Sequence, residues 1–213
     1  MKASLARAPS TLLLIALLAA GPLAATGDVV GPGDQAPNTR GRDHNRVLHV
    51  IDFSEAELTL INFWATWCEP CKNEMPALQK AHEDLSPRGL RVVGITHEAI
   101  EDEDLGAFLE DMGVTYTVFR AGPTIKKYWT GSEGSLPNSY LVGKDGKVIR
   151  RYVGAAPAQI EQLTSDLVAV LDGRKLGMLI LPGEGDFATS EDRVRQQKEE
   201  AAKKKAEEGA KSD

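Results

Sequence analysis

The chain holds only two cysteines among its 213 residues, Cys68 and Cys71. A framework of several disulfides is thereby excluded, and so is a zinc site built from four cysteines. Aromatic residues make up only 6%, the net charge is −6, and no basic stripe is interleaved with aromatics. The electrostatic footprint of a nucleic-acid binder is therefore missing. The apolar run Leu12–Ala20 stops after nine residues, well short of the ~20 that a membrane-spanning helix needs. No internal repeat is visible, which removes solenoids and propellers.

What is present suffices for one ordinary domain with appendages, since 42% of the residues are hydrophobic. Lys2 and Arg7 precede the short apolar run, and the small residues Ala24, Ala25 and Gly27 follow it. This order describes a secretory signal peptide over residues 1–27; the competing reading is an uncleaved anchor. Either way the expected location is periplasmic or otherwise extracytoplasmic, where thiols tend to be oxidised. Residues 28–173 are the expected domain, and 174–213 a charged tail. Ser190–Asp213 carries seven basic and seven acidic residues and almost no large apolar ones, so it has no face to bury. Leu176–Leu181 is an apolar patch able to pack back on the body.

Within the domain, Asp28–Asn45 is rich in Gly, Pro, Asp and Arg and reads as a lead-in with little regular structure. Val47–Ile51 is an expected strand, and Ser54 with Glu57 has capping-box spacing. Leu58–Trp64 is a β-prone apolar run. Met75, Leu78 and Leu85 then recur at near-helical spacing among Lys, Glu and Gln, and Leu90–Thr96 is a second apolar strand. Strand, helix and strand in that order imply a right-handed crossover joining a parallel pair. An acidic helix over Glu101–Met112, a strand over Val114–Phe119 and a short helix over Ile125–Trp129 follow. Two β-prone runs flanking Asp145-Gly146 are a hairpin signal, and Ala158–Leu171 is a closing helix stopped by Gly173.

Both cysteines fall where the Leu58–Trp64 strand gives way to the helix that follows it. There Cys68 would face free backbone N–H groups and the positive end of the helix dipole, a field that stabilises the thiolate. Cys71, one turn inside, would be more buried. Cys68 would then attack a substrate disulfide and Cys71 would resolve the mixed disulfide. Pro70 suits the first turn, where its missing N–H costs nothing. Three other readings compete. A structural bridge would need neither Trp67 nor Glu69-Pro70 nor this junction. Zinc or copper would need further ligands, and none of the four histidines stands beside the pair. No metal or cofactor is expected.

The run Asn62-Phe63-Trp64-Ala65-Thr66-Trp67-Cys68-Glu69-Pro70-Cys71-Lys72-Asn73-Glu74-Met75-Pro76 resembles the active site of the TlpA/ResA-type extracytoplasmic thiol-disulfide oxidoreductases. The resemblance spans about Gly33–Leu171. Gly33-Asp34-Gln35-Ala36-Pro37 is similar to the family's opening element, Thr96–Ala121 to its insertion, and Leu136-Pro137 to its cis-proline loop. It implies an α/β thioredoxin fold with an N-terminal extension and a central αβ insertion, its mixed sheet flanked by helices. It further implies Cys68 as nucleophile, Cys71 as resolving thiol and Glu74 as a buried acid that takes the Cys71 proton. Asn62 stands where thioredoxin carries a buried Asp. Trp67, Glu69, Pro70, Leu136 and Pro137 would meet substrate, and Asn138-Ser139 departs from the Thr usual after the proline. The implied partners are protein disulfide or thiol clients, among them apocytochrome c or a copper chaperone, and a membrane thiol-disulfide electron donor. Two alternatives remain: a peroxiredoxin-like thiol peroxidase, and a redox-inactive thioredoxin-fold binding module.

Overall fold

The computed structural model describes residues 29–96, 98–131, 134–174 and 176. The signal segment and the charged tail lie outside the described residues, as does the apolar patch after Leu176. Leu176 itself packs, half-buried, against the core.

Seven strands form one mixed sheet: β1 (Arg40–Arg42), β2 (Leu48–Val50), β3 (Leu58–Trp64), β4 (Leu90–Thr96), β5 (Thr117–Arg120), β6 (Asn138–Gly143) and β7 (Val148–Val153). Their spatial order is β2-β1-β5-β4-β3-β6-β7. Four helices accompany them: α1 (Glu69–Leu85), α2 (Asp102–Asp111), α3 (Pro123–Thr130) and α4 (Pro157–Leu171). This is the thioredoxin fold implied by the resemblance. β3, α1 and β4 make the expected parallel crossover, with Leu58 opposite Leu90 and Trp64 opposite Thr96. β6 runs antiparallel on the other side of β3, pairing Phe63 with Asn138.

β3 is central, and all seven of its residues are buried. Its side chains alternate between two cores. Leu58, Leu60 and Trp64 pack with Met75 and Leu78 of α1, Leu105 of α2 and Leu167 of α4. Ile61 and Phe63 pack on the opposite side with Trp129 of α3, Tyr140 and Val30. On that second side the Trp129 indole N–H donates to Thr39 Oγ1 at 2.8 Å, and the Tyr140 hydroxyl donates to the Trp129 carbonyl.

Two local expectations need correction, the cap after β2 and the start of β5. The lead-in has little regular structure, as expected, apart from Arg40–Arg42, a strand antiparallel to β2 that meets β5 at Arg42 and Arg120. Gly41 makes this docking feasible: a Cβ there would collide with the Arg120 carbonyl and the Phe119 ring. The short turn after β2 is capped by Asp52, not Ser54; Asp52 Oδ1 accepts the Ser54 N–H at 2.9 Å. The strand expected from Val114 begins only at Thr117, where pairing with β4 starts at Val93.

The Gly33–Pro37 element docks against the β6–β7 hairpin. Gly33 N–H donates to the Val148 carbonyl and Ala36 N–H to the Gly146 carbonyl, both at 2.8 Å. On the α1 side, Asp166 of α4 is buried and accepts from Arg150 Nη1 and Tyr152 Oη, each at 2.6 Å, tying α4 to β7.

Candidate active site

The loops leaving β3 and β4 emerge at the same edge of the sheet, because the strands are parallel and Trp64 lies opposite Thr96. The cysteines follow β3 directly. Cys68 is the N-cap of α1, with extended backbone angles (φ −86°, ψ 98°), and Pro70 occupies the first turn. The two cysteines are joined in a disulfide with Cα atoms 5.3 Å apart. The Cys71 N–H donates to Cys68 Sγ at 3.3 Å and shares that donor with the Cys68 carbonyl at 3.1 Å, so the sulfur sits at the amide-lined N-terminus of the helix. Cys68 retains 5% of its surface, whereas Cys71 has none. Trp67, beside Cys68, is 71% exposed, while Trp64 is fully buried and stacks on Phe108 of α2 at 5.4 Å. Glu69 and Pro70 are exposed, and Glu69 pairs with Lys72 at 3.0 Å.

Glu74 follows Cys71 by three residues on the same helical face and is 2% exposed. Its Oε1 accepts a hydrogen bond from Asn62 Nδ2 at 2.5 Å, and the same amide donates to Ser139 Oγ at 2.9 Å. Burial pushes the Glu74 carboxyl up to about 8, against which the Asn62 hydrogen bond acts in the lowering direction.

The Leu136–Pro137 bond is cis. Phe63 pairs with Asn138, so Pro137 lies beside the end of β3 from which the cysteine loop departs. Pro137 is buried and its carbonyl accepts the Gly154 N–H at 2.8 Å, while Leu136 is half-buried between the two cores.

One contact escaped the sequence reading. Glu98, two residues past β4, accepts the Thr66 N–H at 2.7 Å and the Thr66 hydroxyl at 2.8 Å. No local signal marks Glu98, which sits among other acidic residues; only the adjacency of the β3 and β4 exits brings it to the cysteine loop. Among the described residues no group of three or more His, Cys, Asp or Glu side chains could hold a metal ion.

Residues 32–151, more than half of the chain, match the AhpC/TSA family. The chain belongs to that family. Within it, the TlpA/ResA-type resemblance holds. The chain is 30% identical over 125 residues to the thiol-disulfide oxidoreductase ResA of Bacillus thuringiensis subsp. konkukian, covering 57% of this chain and 69% of that protein. It is likewise 30% identical over 122 residues to the thiol:disulfide interchange protein HelX of Rhodobacter capsulatus, covering 57% and 65% respectively. The fold is also that of a crystal structure of a thioredoxin-family thiol:disulfide interchange protein from Chlorobium tepidum TLS. That structure has a TM-score of 0.54 and 23% identity, and the match covers 66% of this chain and 99% of the other.

Proposed function

We propose that this member of the AhpC/TSA family is a thiol-disulfide oxidoreductase that reduces protein disulfides through Cys68 and Cys71. The observation that carries the reading is the Cys68 sulfur at the N-terminus of α1, receiving the Cys71 amide, with Glu74 buried one turn below. In the reduced protein that amide and the helix dipole favour the Cys68 thiolate. The thiolate attacks one sulfur of the client disulfide, forming a mixed disulfide and releasing one client thiolate. Cys71 gives its proton to the Glu74 carboxylate and attacks Cys68 Sγ, releasing the second client thiolate and closing the Cys68–Cys71 bond. Two electrons pass to the client, and a thiol donor must return them.

Glu74 suits this role because a carboxyl held at about 8 exchanges its proton near neutral pH. Trp67 offers an exposed apolar face beside the reacting sulfur. The Leu136 N–H and C=O have no partner among the described residues, which supports their use in pairing with an extended client segment. Glu69 and Pro70 complete the exposed rim.

The clients are placed outside the cytoplasm, on the signal-like N-terminus, and apocytochrome c or a copper chaperone fits as a protein bearing a vicinal thiol pair. A membrane thiol-disulfide transporter fits as the electron donor. A thiol peroxidase would use a lone cysteine with Thr three residues before it. Here Ala65 holds that position and Cys68 is bonded to Cys71, which favours disulfide exchange. An inert binding module would leave the buried Glu74 beneath the disulfide without a use.

The test is capture. Cys71→Ser should accumulate a mixed disulfide through Cys68 with extracytoplasmic proteins. If adducts form only when Cys68 is the residue replaced, the roles are reversed.

A further inference from the structure

The Glu98 carboxylate is anchored from several directions. Besides its two bonds from Thr66, it accepts from the Thr96 hydroxyl at 3.3 Å, at the end of β4. The segment that follows is pinned as well: Arg120 Nη1 donates to the Ile100 carbonyl at 2.7 Å and pairs with Asp102, which Arg46 also meets at 2.8 Å. A chain of polar contacts therefore runs from Arg120 of β5 to Asp102 and Ile100, and the same segment reaches Thr66 through Glu98.

Thr66 is two residues from Cys68. The turn between them is closed by the Cys68 N–H donating to the Ala65 carbonyl at 3.1 Å. Held at Ala65 by β3 and at Cys68 by α1, the loop has a single polar side chain in its middle, and Glu98 takes both donors of that residue. A carboxylate accepting a backbone N–H and a hydroxyl makes charge-assisted hydrogen bonds, the stronger kind. Packing of Trp64 on Phe108 adds an apolar contact between the start of the same loop and α2.

We propose that Glu98 is a positioning residue for disulfide exchange: through Thr66 it fixes the loop that presents Cys68 Sγ to the incoming disulfide. The segment that carries α2 and β5 thus supports the reactive sulfur through Thr66. This inference rests on the exchange chemistry assigned to Cys68, and it specifies what holds that sulfur in attacking geometry. Positional errors near 1 Å in such a group can cost about 100-fold in rate.

The test follows the attack of fully reduced, full-length protein on an aromatic disulfide at fixed pH, reading the released thiolate. Glu98→Ala should slow the attack about tenfold, within the range expected for lost positioning. Glu98→Gln should restore it to within about twofold of wild type, since the amide can accept the Thr66 N–H and donate to its hydroxyl. Thr66→Val, which keeps the N–H bond and loses the hydroxyl, should fall between, about threefold slower. Thermal melting of each variant separates loss of fold from loss of positioning. If Glu98→Ala fails to fold, the Thr66→Val and Glu98→Gln rates still decide. The idea is overturned if a folded Glu98→Ala or Thr66→Val reacts at the wild-type rate, or if Glu98→Gln is as slow as Glu98→Ala, which would make charge and not hydrogen bonding the cause. A wild-type protein that does not react with disulfides at all would instead defeat the proposed function.

Discussion

Asn62 on β3 donates its amide to Glu74 on α1 at 2.5 Å, inside a core from which both residues are almost wholly withdrawn from water. The contact fixes the protonation chemistry beneath the disulfide. An Asn amide cannot take a proton, so the only ionisable partner in this pair is the Glu74 carboxyl. Desolvation makes its charged form costly, while the Asn62 donor favours the charged form and keeps the carboxyl within reach of neutral pH.

Glu74 should make stability depend on pH. Between the ordinary carboxyl value of 4.5 and about 8, the folded protein keeps a proton that the unfolded chain has released. Stability therefore falls as pH rises through that window and levels off on either side, by about 5 kcal/mol at most. Glu74→Gln should flatten this slope when denaturant unfolding of the oxidised protein is followed from pH 4 to 9. A slope that persists in the variant would assign it to other groups.

Replacing Asn62 should move the same midpoint upward. Asn62→Ala removes the donor that favours the charged carboxylate, and it also strips Ser139 Oγ of its bond. A cost of roughly 1–3 kcal/mol is expected from the lost buried hydrogen bonds. The infrared carbonyl band of the protonated Glu74 would report the shift as it is titrated. An unchanged midpoint would show that Asn62 holds the geometry without tuning the proton.

Trp67→Ala should leave stability within about 0.5 kcal/mol, because the side chain is largely in water. Its effect belongs to recognition. Exchange with a protein disulfide should weaken more than exchange with a small one, and comparing the two second-order rates checks it. Equal losses would place Trp67 in the chemistry of the sulfur instead of the client surface.

Asp166→Ala should be among the most damaging changes remote from the cysteines. It strips Arg150 of this carboxylate and leaves the buried Tyr152 hydroxyl without its acceptor. Breaking such a buried pair costs roughly 3–5 kcal/mol. The shift in urea midpoint at constant m-value measures it, and a loss below about 1 kcal/mol would mean that the charge pair contributes little net.

Short-range chemistry was legible in the chain itself. Leu58–Trp64 and Leu90–Thr96 declare strands by apolar continuity, and α1 declares itself through Met75, Leu78 and Leu85. The placing of Cys68 and Cys71 at the junction follows from those two patterns alone, as does the hairpin at Asp145-Gly146. Tertiary structure decided the rest, because the deciding partners are far apart in sequence. Arg40–Arg42 is a strand only because β2 and β5 offer it edges, and Gly41 lets it approach. Burial of Glu74 depends on β3 and on Ser139, 77 residues beyond Asn62. The Thr66–Glu98 clamp spans 32 residues and exists because two parallel strands release their loops at one edge. The sequence determined where Cys68 and Cys71 fall, at the junction of a strand and a helix; packing determined the proton affinity of Glu74 and what holds the cysteine loop in place.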